Sequence, residues 1–168
     1  FRFGGHSYKR ALIPVGHTGA ELISKLNAKA DELKIPIFLN VKAEKLLTNS
    51  NGRVIGVKAN DKNKKELTFN ANSAVILTTG GFGSNVEMRT KFNKEYDSRY
   101  KSTDSVGTTG DGIVMAQEVG AALNNMEYIQ TYPIANPKTG MISLLADTRF
   151  DGAILINQEG KRFVEELD

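Results

Sequence analysis

"AVILTTGGFG", residues 74–83, sets four apolar residues, two threonines and a cluster of glycines in a row. The aliphatic run reads as a strand buried on both faces, because strands of parallel sheets carry near-continuous Val, Ile and Leu. The loop that follows, Thr78-Thr79-Gly80-Gly81-Phe82, falls at the carboxyl end of that strand, where open α/β sheets hold their ligands. Gly80 and Gly81 lack a Cβ, so a cofactor can approach the backbone to van der Waals distance; the same glycines also suit a plain tight turn with positive φ. The G-x-G-x-x-G fingerprint that opens a dinucleotide-binding unit occurs nowhere in the chain.

Upstream, residues 19–33 carry Leu22, Ile23, Leu26, Ala30 and Leu33 at helical spacing on one face. Thr18 with Glu21 three residues on is a capping-box pattern, and Pro36 stops the helix. Residues 35–41 read as a strand, so helix and strand fit half of a parallel α/β unit. Three short strand candidates follow, at 43–48, 53–59 and 66–71. Asn51-Gly52 is a tight hairpin signal between the first two, and the charged residues 61–65 join the second and third. This is an antiparallel meander inserted between parallel strands. Beyond the glycine loop a short helix is expected after Asn85, residues 96–112 read as polar loop, 112–121 as helix, and 126–134 as extended chain. Residues 152–163 read as two short strands about a Glu-Gly turn.

The chain has 168 residues, 40% hydrophobic and 24% charged, enough for one domain with a core of its own. Net charge is +3 with scattered Lys and Arg, too mild to argue for nucleic acid. There are no cysteines, which excludes disulfides and thiolate metal sites. His6 and His17 are the only histidines and neither has an acidic cluster nearby, so no metal site is expected. No apolar run is long enough to span a membrane as a helix. Phe1 begins abruptly, without signal-peptide character, and "KRFVEELD" stops within an element; both ends read as cut from a longer protein.

A second glycine loop, "VGTTGDG" at 106–112, places Thr109, Gly110 and Asp111 just ahead of a helix. A helix N-terminus offers free N–H groups to an anion, and Asp111 suits a hydroxyl; the alternative is a simple cap with Asp111 as the acceptor. Five collinear stretches, "GGHSYKRALIPVGHTGAELI" (4–23), "AVILTTGGFGSN" (74–85), "GTTGDGIVMAQEVGAAL" (107–123), "YIQTYPI" (128–134) and "DGAILINQEGKRFVEE" (151–166), cover nearly the whole chain. Together they resemble the FAD-binding domain of the fumarate reductase and succinate dehydrogenase flavoprotein family, most closely its soluble flavocytochrome c-like branch.

The resemblance implies an α/β fold: part of a Rossmann-like FAD-binding domain (1–127), lacking the N-terminal G-x-G-x-x-G unit and carrying the inserted β-meander, and then the start of a capping domain (128–168). It implies FAD held by Thr78, Thr79, Gly80, Gly81 and Phe82, by Thr109, Gly110 and Asp111, and by the backbone around Val41 on the adenine side. FAD is expected to bind weakly or not at all to the 168 residues alone. FMN or haem would sit in other domains. Partners would be a small unsaturated acid and an electron-donor domain or protein. A periplasmic or cell-surface location rests on the resemblance alone.

The family chemistry is hydride transfer from the flavin to the double bond of an α,β-unsaturated carboxylate. Fumarate reductases of this branch continue the "YIQ" stretch into a His-Pro that holds a substrate carboxylate, with a Thr-Glu pair further on. Here the positions are Tyr132-Pro133 and Leu145-Ala146, followed by Asp147. A dicarboxylate would lose a cationic partner and meet a like charge, which is costly in a buried site. The Tyr132 and Asp147 pair resembles the urocanate-reducing members, in which the corresponding residues contact an imidazole. A carboxylate beside an imidazole binds its N–H and favours its charged form. Arg149 matches the arginine that passes protons to the catalytic arginine, which would lie beyond Asp168. Plainer roles stand beside these: a core aromatic for Tyr132, a turn or cap acceptor for Asp147, a surface ion pair for Arg149. Reduction of fumarate or another enoate, ketosteroid dehydrogenation, and a non-catalytic α/β module remain the alternatives.

Overall fold

The computed structural model describes residues 7–10, 12–16, 18–132, 136, 138 and 152–165. They fall into two compact units, one from Phe1–Ile37 with Ser143–Asp168, the other Phe38–Ile142.

In the first unit the apolar periodicity forms α1, Gly19–Glu32. Thr18 is its N-cap, in extended conformation, but its side chain makes no capping bond. Glu21 reaches back instead to the N–H of Gly16, at 2.6 Å, so only one arm of the expected capping box forms, and on a different donor. No residue of α1 is buried; Leu22, Ile23, Leu26 and Leu33 are all more than half exposed. The 152–163 pair is reduced to one antiparallel bridge, Ile156 with Arg162.

The second unit contains the meander: β1 (Val41–Thr48), β2 (Val54–Asp61) and β3 (Glu66–Asn70), antiparallel in the order β1-β2-β3. Glu44 has no partner in the β1–β2 register, which shifts between Ala43 and Lys45 as at a bulge. The two meander turns and the 157–161 turn of the first unit use the same closure. An Asn or Asp accepts, on its side-chain oxygen, the N–H groups two and four residues on: Asn49 from Asn51 and Arg53, Asp61 from Asn63 and Lys65, Asn157 from Glu159 and Lys161. The fourth residue of each loop is left-handed: Gly52, Lys64 and Gly160. This is the local side-chain-to-backbone bonding for which Asn and Asp are favoured in turns.

Two helices complete the unit: α2, Val86–Phe92, and α3, Asp111–Glu118, which lies against β1. The buried apolar side chains among the described residues are Leu46, Ala59, Met88 and Met115, a smaller core than the composition led us to expect. Residues 74–79 and 35–40 lie outside any strand, although 74–79 and 35–41 read as strands in the sequence. A strand needs a hydrogen-bonded neighbour as well as an apolar sequence, and neither segment has a ladder partner among the described residues. Ile76 is 84% exposed, and Ile35, Ile37 and Leu39 are also exposed. The architecture is α/β, with helices and a three-stranded antiparallel meander.

Candidate functional site: two facing glycine loops and an aromatic cavity

Asn85 sets the geometry of the first loop. As the N-cap of α2 its side-chain oxygen accepts the N–H of Met88, at 2.9 Å, which fixes the chain direction as it leaves the glycines. Its amide nitrogen donates to the carbonyl of Thr109, at 2.9 Å. Ser84 adds two bonds across the same gap: its N–H donates to Thr108 O (3.1 Å) and its hydroxyl to Ser105 O (2.8 Å). Residues 80–85 and 105–109 are therefore stitched together, and the two glycine loops face each other.

That approach is what the glycines permit. Gly112 packs on Thr79 so closely that a Cβ would run into the threonine side chain. Gly110, the N-cap of α3, has φ +84° and is buried against Met88 and Phe82. Gly81 differs: it is exposed, and nothing lies within 4 Å of where a Cβ would be. Gly80 before it is left-handed at φ +74°. Gly80 makes the positive-φ turn, and the backbone at Gly81 is open.

Asp111 is the first residue of α3 and not its cap; no side chain caps this helix. The N–H groups of its first turn are left to another acceptor. The Asp111 carboxylate accepts from the Thr109 hydroxyl at 2.8 Å and lies 3.7 Å from Lys42 Nζ. A carboxylate at this position opposes a second anion in contact with it, and suits a hydroxyl donor. Lys42 ties Asp111 to β1 beside Val41. Val41 itself edges an open groove with Asn40, Lys42, Asn60, Lys62 and Lys64.

On the other side of Gly81 lies a cavity of about 500 Å³. Gly81, Phe82 and Gly83 form one wall, Tyr96 with residues 100–104 a second, and 125–126 with 128–132 a third. Tyr96, Tyr100, Tyr128 and Tyr132 all line it, four of the five tyrosines in the chain. The rings of Tyr96 and Tyr100 meet edge to face, 5.3 Å between centroids. Arg89, Lys101 and Asp104 add charge. Beside the cavity, Arg99 Nε donates to both carboxylate oxygens of Asp97, at 2.9 and 3.1 Å. These bonds hold the Asp97 carboxyl below the usual carboxylate range and raise Arg99 above its own.

The structure brings Thr78, Thr79, Gly80, Gly81, Phe82, Thr109, Gly110, Asp111, Val41 and Tyr132 into one unit. Asp147, Arg149, His6 and His17 lie outside the described residues. Arg89 and the three tyrosines beside Tyr132 were not singled out from the sequence. The one available signal was the crowding of tyrosine into residues 96–132. Among the described residues no helix is long and apolar enough to cross a membrane.

A family profile described as FAD binding domain matches residues 1–168. The chain is 48% identical over 168 residues to a urocanate reductase of Eggerthella lenta, covering 99% of this chain and 28% of that protein. It is 37% identical over 166 residues to a fumarate reductase (cytochrome) of Shewanella frigidimarina, covering 98% of this chain and 28% of that one. The solved structure of the open conformation of a flavocytochrome c3 fumarate reductase superposes with a TM-score of 0.81 at 31% identity, over 99% of this chain and 29% of the other. The chain thus spans under a third of the length of each of these relatives. With the facing glycine loops, the uncapped helix and a match along its whole length, the chain belongs to the FAD binding domain family.

Proposed function

We propose that this chain forms part of an FAD-dependent reductase of α,β-unsaturated carboxylates, with urocanate as its substrate. The observation that carries the reading is the place of Tyr132: it lines the aromatic cavity that Gly81 and Phe82 also line. The 48% identity to a urocanate reductase supports it.

The residues present fit the cofactor. Gly81 offers backbone with no side chain in the way, the first turn of α3 offers N–H donors, and Asp111 offers an acceptor for a hydroxyl. Thr78 to Phe82, Thr109 to Asp111 and the backbone at Val41 would hold it, within a FAD domain of residues 1–127 that precedes the start of a capping domain at 128–168. When bound, FAD supplies the hydride that reduces the substrate double bond. The chain's own groups bind, orient and exclude water. Tyr96, Tyr100, Tyr128 and Tyr132 present flat apolar faces and phenol hydroxyls, which suit a planar heteroaromatic ring and offer a second carboxylate little. Asp147 accepts the imidazole N–H, and Arg149 passes a proton toward the catalytic arginine. Electrons enter from another domain or protein.

The test is steady-state reduction of urocanate and of fumarate by the complete protein with a reduced viologen donor. Asp147→Asn is expected to lower kcat/KM for urocanate roughly tenfold to a hundredfold, since a hydrogen bond to a charged partner contributes ~1.5–3 kcal/mol. Fumarate reduction should not fall, and Tyr132→His should favour fumarate further. A wild-type preference for fumarate, or unchanged urocanate kinetics in Asp147→Asn, overturns the imidazole reading.

A further inference from the structure

Arg89 is the fourth residue of α2 and only 5% exposed. A cation buried that deeply is costly unless it is paired or hydrogen-bonded. Among the described residues no carboxylate pairs with it, because the nearby Asp97 carboxylate is taken by Arg99. Its Nη2 donates instead to two backbone carbonyls, Tyr100 O at 3.2 Å and Asp97 O at 3.4 Å. Its Nε is shut away from solvent and has no partner among the described residues. Nη2 is thereby committed to the loop, on a side chain that also lines the cavity.

The loop needs such a hold. Residues 93–110 contain neither helix nor strand. The turn from Asp97 to Tyr100 is closed by one backbone bond, Tyr100 N–H to Asp97 O at 3.2 Å, with the Asp97 side chain bonded to the N–H of Arg99. These bonds shape the turn; the two bonds from Arg89 attach it to α2. Tyr96 precedes the turn and Tyr100 ends it, and their rings form the aromatic wall facing the cavity.

We propose that Arg89 is a positioning residue: it anchors the 97–100 turn to α2 and so holds Tyr96 and Tyr100 where an aromatic substrate meets them. The proposal rests on the reading of the cavity as the place of an unsaturated acid carrying a ring. It assigns Arg89 no proton transfer, so its effect falls on the binding of a ring more than on the chemistry of the double bond.

The experiment uses the complete, FAD-loaded enzyme with Arg89→Met and Arg89→Lys, with urocanate and acrylate as paired aromatic and non-aromatic acids. Arg89→Met is expected to raise KM for urocanate by about tenfold, the scale of a lost hydrogen bond from a charged donor. Expected alongside are a smaller rise in the acrylate KM than in the urocanate KM, unchanged flavin absorbance per protein, and faster amide exchange at Tyr100–Thr103 with α2 unaltered. Arg89→Lys keeps the charge and one donor group and should recover most of the urocanate KM. If both acids lose affinity to the same degree, or if flavin is lost, Arg89 does not position the aromatic wall and the proposal falls. Should Arg89→Met fail to accumulate, Arg89→Gln, which removes the charge and shortens the reach, takes its place: wild-type exchange at Tyr100–Thr103 together with wild-type urocanate KM in that variant overturns the anchoring role. If the wild type shows no preference for urocanate over acrylate, the substrate reading fails, and loop exchange still decides whether Arg89 anchors the turn.

Discussion

Replacing three glycines of α3 and its ends by alanine separates backbone strain from crowding. Gly120, just past the C-terminus of α3, has φ +93° and nothing within 4 Å of the place a methyl group would take; Gly120→Ala therefore carries left-handed strain alone, about 1–2 kcal/mol. Gly110 has φ +84°, and a methyl group there would sit 3.0 Å from Phe82 Cβ and 3.2 Å from Met88 Cε, with the Met88 sulfur nearer still. Overpacking adds about 1–3 kcal/mol, so Gly110→Ala should destabilise by about 2–5 kcal/mol. Gly112 lies within α3, outside the left-handed region, with a methyl 3.0 Å from Thr79 Cβ. Since Cβ itself is in the way, turning the threonine hydroxyl aside does not relieve the contact. The same overpacking, offset by about 1 kcal/mol of better helix propensity, leaves Gly112→Ala about 0–2 kcal/mol destabilising. The gain from a stiffer unfolded chain is common to all three and cancels in the differences. Urea unfolding followed by circular dichroism gives the ranking, provided the slope with denaturant stays constant. Equal costs for Gly110→Ala and Gly120→Ala would refute the close approach of the two loops, and a neutral Gly110→Ala would refute the left-handed N-cap.

Two further outcomes are expected. Arg99 holds the Asp97 carboxyl below its usual range, so the pair's contribution is present at neutral pH and lost as pH falls through that lowered value; Arg99→Ala should move the Asp97 titration, followed by carboxyl-carbon NMR, up toward the ordinary range, the backbone N–H of residue 99 holding part of the lowering, and an unmoved titration contradicts the assignment. Lys64 adopts φ 63° in the β2–β3 turn, so Lys64→Gly should stabilise by up to about 1 kcal/mol once glycine's greater entropy loss is set against the relieved strain; a lowered urea midpoint rules this out.

The local elements were legible in the sequence because their causes are local. Asn51-Gly52, the alternation around it, the spacing of Leu22, Ile23 and Leu26, and Asn85 ahead of α2 each specify a structure within a few residues, and each formed. The positive-φ turn at Gly80 was legible as well. Their mutual contact, Gly112 on Thr79 and Gly110 on Phe82, was not, because it depends on residues about thirty positions apart. The stretch 74–79 shows the opposite limit: its composition announces burial and pairing, but whether a neighbour is present is not written in its own residues. The cavity wall escaped notice because 96–112 reads as polar loop, and only the fold shows that Tyr96 and Tyr100 turn toward Tyr132.

The shared closure of the loops at 49–53, 61–65 and 157–161 has a consequence for time. Each loop ties its ends with bonds between residues at most four apart. Contacts so local cost little loop entropy, and hairpins of this size form in about 1–10 μs. The meander can zip from its two turns before any distant part of the chain arrives. The apolar segments on either side of it, 35–40 and 74–79, have no such local route, and any burial of them waits for slower, long-range encounters. In synthesis from the N-terminus, β1 to β3 would then be zipped while the glycine loops are still being made, so the contact between the two loops is the later event.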